Sequence, residues 1–109
     1  MHEMAVTQSV VDAVAERVDG ARVRSVRLDI GRLSGVVPDA VRFCFDVIAL
    51  GTPLEGARLD IDETSGTGHC RDCGADTEVD DLIVLCPCGS ADVAVTGGRD
   101  LSIRSVEVT

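Results

Sequence analysis

The sequence predicts an α+β fold: a small three-stranded β-sheet covered by two helices, with an inserted cysteine-rich lobe. Three observations predict it. Two stretches carry apolar residues at helical spacing, three carry them in strand alternation, and a Gly- and Asp-rich stretch holding four of the five cysteines interrupts them. At 109 residues the chain has room for one domain and at most a small appendage.

The first element is a helix over residues 4–19. Val6, Val10, Val11, Val14 and Val18 recur at spacings of three and four, and Gly20 is a natural stop. So many valines weaken helix propensity, so packing must support it. Residues 23–30 alternate, with Val26, Leu28 and Ile30 opposite Arg27 and Asp29, as in a strand with one buried face. A turn follows over Gly31–Gly35. Pro38 opens a second helix, with Val41, Cys44, Phe45 and Ile48 on one face and Gly51 and Pro53 at its end. Ala57, Leu59 and Ile61 begin a second strand. After Gly97-Gly98, Leu101 and Ile103 begin a third; Val106 and Val108 continue it out of phase, as a β-bulge would require. Because this last strand returns to the first unit, residues 1–65 with 97–109 form the main domain and 66–96 a side lobe. Strand order does not follow from the pattern.

Composition excludes several functions. A net charge of -9 and only two aromatics, Phe43 and Phe45, disfavour nucleic acid and anionic membranes. No apolar run approaches the roughly 20 residues of a spanning helix. The start, Met1-His2-Glu3, lacks the basic and apolar regions of a secretory signal, so the cytoplasm is the expected compartment. Thiols stay reduced there, and clustered cysteines point to metal.

Cys70-Arg71-Asp72-Cys73-Gly74 is a C-x-x-C, and twelve residues later Cys86-Pro87-Cys88-Gly89 is a C-x-C. Two such pairs suit a tetrahedral thiolate site, and a glycine after each permits the sharp knuckle turn. Zinc is the expected metal, with iron its competitor and disulfides or free thiols the non-metal alternative. Metal would stabilise a lobe whose few apolar residues, such as Leu82, Ile83, Val84 and Leu85, cannot form a core. His69 reads as a polar residue at the knuckle, with a spare-ligand role as the alternative. Cys44 reads as a small buried hydrophobe.

Met1-His2-Glu3 also has the groups of a chelator. The α-amine, the His2 amide nitrogen and its imidazole can form fused rings around one ion, and Glu3 can add a donor. Such nitrogen-rich sites suit nickel(II) and copper(II). Bulky His2 is expected to keep the initiator Met in place.

Met1-His2-Glu3-Met4, Ile30-Gly31-Arg32-Leu33-Ser34-Gly35-Val36-Val37-Pro38, Gly51-Thr52-Pro53-Leu54-Glu55-Gly56-Ala57 and Cys86-Pro87-Cys88-Gly89-Ser90 together resemble the hydrogenase nickel-insertion accessory family (HypA/HybF), in order and over essentially the whole chain. The resemblance implies an α/β nickel-binding unit with an inserted zinc-ribbon-like lobe. It implies a non-enzymatic metallochaperone that assists nickel insertion into the [NiFe] hydrogenase large-subunit precursor with a nickel-handling GTPase accessory protein, and in some organisms serves urease. It further implies His2, Met1 and Glu3 as ligands of transient nickel(II), and Cys70, Cys73, Cys86 and Cys88 as ligands of structural zinc(II). Many members have a residue between the Pro and the last Cys; here Pro87 adjoins Cys88. A monomer and a homodimer both stay open.

The rivals are weaker on the residues. A zinc-ribbon interaction module would want a basic or aromatic face, yet the lobe carries Asp72, Asp76, Glu78, Asp80 and Asp81. A rubredoxin-like iron electron carrier would want aromatics round the metal, and the lobe has none. Nothing suggests an enzyme: there is no nucleophile–base pair or phosphate-binding glycine loop, and four thiolates leave a metal no open position.

Overall fold

Apolar residues at helical spacing do form the two helices, and the structure, a computed structural model, describes residues 2–80 and 83–109. Helix α1 spans Glu3–Val18 and buries Thr7, Val10, Val11 and Val14. Thr7 takes an inward place next to the half-buried Val6, because its hydroxyl donates to the Glu3 carbonyl at 2.7 Å and so needs no other partner. The helix ends on Asp19 in the left-handed region, one residue before Gly20. Helix α2 spans Pro38–Ile48 and buries Val41, Cys44 and Phe45, with Pro38 in the first turn, where a missing N–H costs nothing.

Between them runs β1, Val23–Gly31, whose Val26, Leu28 and Ile30 are buried. It is the central strand of a three-stranded sheet of order β2-β1-β6, with β2 at Arg58–Thr64 and β6 at Leu101–Val108. β1 and β2 are parallel, so α2 lies in the crossover that parallel strands require; β1 and β6 are antiparallel. The expected bulge is present. Register shifts between Arg27↔Ser105 and Leu28↔Ile103, which leaves Arg104 as the extra residue. Leu101, Ile103 and Val106 can thereby all sit opposite the buried residues Ile30, Leu28 and Val26. The core joins these strands to both helices, with Leu54 buried beside them. Away from it, Arg104 makes ion pairs with Asp29 and Asp62, and Arg27 pairs with Asp62.

The lobe has its own sheet, which its Gly-rich, four- and five-residue segments do not announce. β3 (Gly66–Cys70) lies between β4 (Asp76–Val79) and β5 (Val93–Gly97), antiparallel to both. Gly97 still pairs with Thr67 in this sheet.

The two sheets meet at a tight joint. The N–H groups of Gly31 and Leu33 donate to the carbonyls of Asp100 and Gly98, both at 2.8 Å, and Arg32 N–H donates to Thr64 at 2.9 Å. Gly98 has φ +90°, and a Cβ there would fall 2.4 Å from the Gly66 Cα. The Arg32 guanidinium reaches both Glu63 and Asp80, at 3.7 and 3.9 Å. The Cα radius of gyration is 17.0 Å, against about 13 Å for a compact chain of this length, as expected of a lobe set end-on. Among the described residues no helix is long and apolar enough to cross a membrane.

Candidate metal centres

Two hairpin-like knuckles build the first centre. In one, Gly74 N–H donates to the Cys70 carbonyl at 2.9 Å; in the other, Gly89 N–H donates to the Cys86 carbonyl at 2.8 Å. Gly74 and Gly89 have φ of +76° and +94°, where a side chain would strain the backbone. The sulfurs of Cys70, Cys73, Cys86 and Cys88 all lie within 4.8 Å of one another. Cys70 Sγ is 3.7 Å from Cys88 Sγ, and Cys73 Sγ is 3.5 Å from Cys86 Sγ. Four ligands at about 2.3 Å round a tetrahedral zinc would stand about 3.8 Å apart. A disulfide needs about 2.05 Å; all five cysteines are free. The donor set and spacing therefore fit a four-thiolate metal ion, with zinc and iron both compatible.

The knuckles also prepare the sulfurs electrostatically. The Cys73 N–H donates to Cys70 Sγ at 3.5 Å, and this bond is the largest of the effects that bring the Cys70 thiol down to about 6. At Cys86 the N–H of Cys88 works in the same direction, but burial and the neighbouring thiols outweigh it and push the thiol up to about 12. Cys88 is likewise raised, although the Ser90 N–H opposes the rise. Outside the sulfurs, Arg71 pairs with Asp92 at 2.6 Å and the Ser90 hydroxyl donates to Asp72, tying the knuckles together. These braces were not expected, since residues about twenty positions apart give no local signal. His69 stands apart from the sulfur cluster: its Nδ1 is 2.8 Å from an Asp76 oxygen.

The second candidate site lies at the start of the described chain. His2 is the exposed N-cap of α1, and its carbonyl accepts the Val6 N–H at 2.9 Å. Glu3 opens the helix, where a carboxylate is favoured by the helix dipole. Its Oε2 accepts the Val37 N–H at 3.2 Å, and chiefly for that reason its carboxyl is held below the usual range. Met1, the remaining expected ligand, lies outside the described residues. His2, Glu3, Met4, Ala5 and Gln8 face Ala40 and Cys44 of α2 across an open groove of about 670 Å³. Cys44 is buried as expected, yet it also borders this groove. The site can offer imidazole, carboxylate and main-chain nitrogen to a cation arriving from solvent. The Val37 contact was missed because it joins residues 34 positions apart.

Comparisons with known proteins agree over the full length. The family model described as hydrogenase/urease nickel incorporation, metallochaperone, hypA matches residues 1–108. A hydrogenase maturation factor HypA from Nostoc punctiforme is 45% identical over 108 residues, covering 99% of this chain and 96% of its own. One from Geotalea uraniireducens is 46% identical and covers 99% of both. The solution structure of the Ni metallochaperone HypA from Helicobacter pylori has the same fold, with a TM-score of 0.67 at 24% identity over 99% of this chain and 97% of that one.

Proposed function

The chain belongs to the HypA family of nickel metallochaperones for hydrogenase maturation, and on that premise we propose that it carries nickel at its N-terminus while a separate zinc ion holds its cysteine lobe. The observation that carries this reading is the separation of two unlike donor sets. Exposed His2 and Glu3 border an open groove, whereas four sulfurs close on one another in the lobe.

Nickel is cargo, so its site must bind and release. His2 supplies its imidazole and amide nitrogen, Met1 its amine, and Glu3 stands beside them. A chain terminus gives solvent access and freedom to rearrange. Binding displaces protons from the amine, imidazole and any amide donor, so nickel affinity falls as pH falls. Glu3 has two claims on its carboxylate. It accepts the Val37 N–H; to ligate nickel it must turn away or share an oxygen.

Cys70, Cys73, Cys86 and Cys88 are the proposed zinc ligands. Zinc bound there would supply folding free energy to a lobe that lacks an apolar core. The protein's own part is to set the knuckles, point backbone N–H groups at sulfur and brace the outside with Arg71–Asp92. We assign residues 1–65 with 97–109 to the nickel unit and 66–96 to the zinc lobe. Its partners in this reading are a nickel-handling GTPase accessory protein and the hydrogenase large-subunit precursor, its compartment the cytoplasm, and its role non-enzymatic.

The deciding experiment is nickel titration of zinc-loaded, untagged protein and its His2→Ala variant, with both metals quantified. The expected result is loss of nickel with zinc retained. Full nickel affinity in His2→Ala, or in protein with an N-terminal extension, overturns the assignment. Iron in place of zinc in the isolated protein overturns the structural half.

A further inference from the structure

Strand β6 is an outer edge of the first sheet, and among the described residues no strand pairs with its free side. Free edges are usually guarded by charge, because they can template pairing with another chain. The opposite edge follows that rule: β2 carries Arg58, Asp60, Asp62 and Glu63. β6 carries only Arg104 and Glu107. Its shoulder is also apolar. A groove of about 470 Å³ runs between β6 and α1, where Val14 and Val18 face Ile103, Val106 and Val108. Ile103 and Val108 are 38% and 50% exposed, so apolar surface reaches solvent along this edge.

The bulge gives the strand a two-fold pattern. Leu101, Ile103, Val106 and Val108 stand opposite the buried residues Ile30, Leu28, Val26 and Val23, so they share the helix face. Ser102, Ser105 and Glu107 stand opposite Asp29, Arg27 and Ser25, and Arg104 reaches Asp29 and Asp62, so these four share the outer face. The order of faces is therefore the same read from either end, with its midpoint between Arg104 and Ser105. Without the extra residue the two halves would be out of phase. A second β6 laid antiparallel on that midpoint sets Ile103 against Val106 and Leu101 against Val108 on the helix face, twice each. On the outer face it sets each Arg104 diagonal to the other copy's Glu107, an attraction also made twice. The excess acid of a chain carrying -9 does not oppose this approach, because the charged groups of the groove and the edge strand are Arg17, Arg104 and Glu107. We infer that the free edge of β6 is an interface with a second copy of this chain, joining two three-stranded sheets into one of six about a two-fold axis. Each copy's edge closes the other's groove. The inference does not depend on which metals the chain carries.

An interface of one strand and its shoulder belongs to the small, weak class. Full-length, zinc-loaded protein is therefore followed by sedimentation equilibrium from about 1 µM to about 1 mM. The expected result is a reversible monomer–dimer equilibrium. Hydrogen exchange on the same samples is expected to slow in β6 as concentration rises, while α2 is unchanged. Ser105 is exposed, and Ser105→Lys sets a like charge directly against the other copy's Arg104 twice. It is expected to raise the dimer Kd about tenfold or more. Glu107→Arg removes the diagonal attraction and is expected to act in the same direction. Both variants should keep the zinc content and urea midpoint of the monomer, which shows that the fold is intact. The inference is overturned if the protein is monomeric throughout, if neither substitution weakens the dimer, or if dimerisation protects another element and leaves β6 exchange unchanged.

Discussion

Replacing Gly98 by Ala should damage the joint between the sheets, and the size of the effect follows from two separate costs. The backbone at Gly98 has φ +90°, and an alanine in left-handed territory loses about 1–2 kcal/mol. The new Cβ would also stand 2.4 Å from the Gly66 Cα, 2.9 Å from its nitrogen and 3.0 Å from the Ser65 carbonyl oxygen. These are backbone atoms with no rotamer to escape through, so overpacking adds about 1–3 kcal/mol. The sum, about 2–5 kcal/mol, is a large share of the 5–15 kcal/mol typical of a domain. Gly20→Ala isolates the first cost: its φ is +85°, but a Cβ there would meet nothing within 4 Å. Urea unfolding of zinc-loaded protein should lower the midpoint by roughly 1–2 M for Gly98→Ala and by clearly less for Gly20→Ala. Amide exchange at Leu33, whose N–H bonds the Gly98 carbonyl, should accelerate only in the Gly98 variant. Equal midpoints for the two variants would refute the steric account.

Three further outcomes are expected. Stripping zinc with a chelator should abolish amide protection in β3, β4 and β5 while α1, α2 and β1 keep theirs; equal loss in both sheets, read by hydrogen exchange, would show that the lobe is not separately held. Zinc loading at pH 7 should release a proton each from Cys86, up at about 12, and from the raised Cys88, and affinity should fall further once pH drops below the Cys70 value of about 6; calorimetry in buffers of different ionisation enthalpy counts the protons. In metal-free protein the Val37 amide shift should follow Glu3 with a midpoint below the ordinary glutamate range. The stabilising contact is present at higher pH and lost as pH falls through that lowered value, and Glu3→Gln should remove the titration.

Much of the first sheet and its two helices was legible because period reports burial. The valines of α1, the alternation of β1 and the phase slip after Ile103 each describe a face turned to one core, and the slip became the bulge at Arg104. The four cysteines were legible because few other arrangements explain two close pairs with glycine behind each. The lobe strands were hidden, since Gly66, Gly68 and Thr67 carry no apolar alternation and are held by ladder partners and the knuckles. The order β2-β1-β6, the Gly31–Gly66–Gly98 joint and the Val37–Glu3 bond were hidden for another reason. Each is a meeting of distant residues, set by how the elements pack rather than by what any one segment prefers.

The place of β6 has a kinetic consequence. It supplies the last edge of the first sheet, yet it is synthesised only after the whole lobe. During translation β1 and β2 wait, with the β1 edge open, until Leu101–Val108 leave the ribosome. If the intervening stretch is still a loose loop, closing about thirty residues costs roughly 3 kcal/mol in chain entropy before the ladder forms. A lobe drawn together by a bound metal would shorten that loop, so supply of that ion during synthesis would govern how quickly the first sheet closes and how long its unpaired edge is open to other chains.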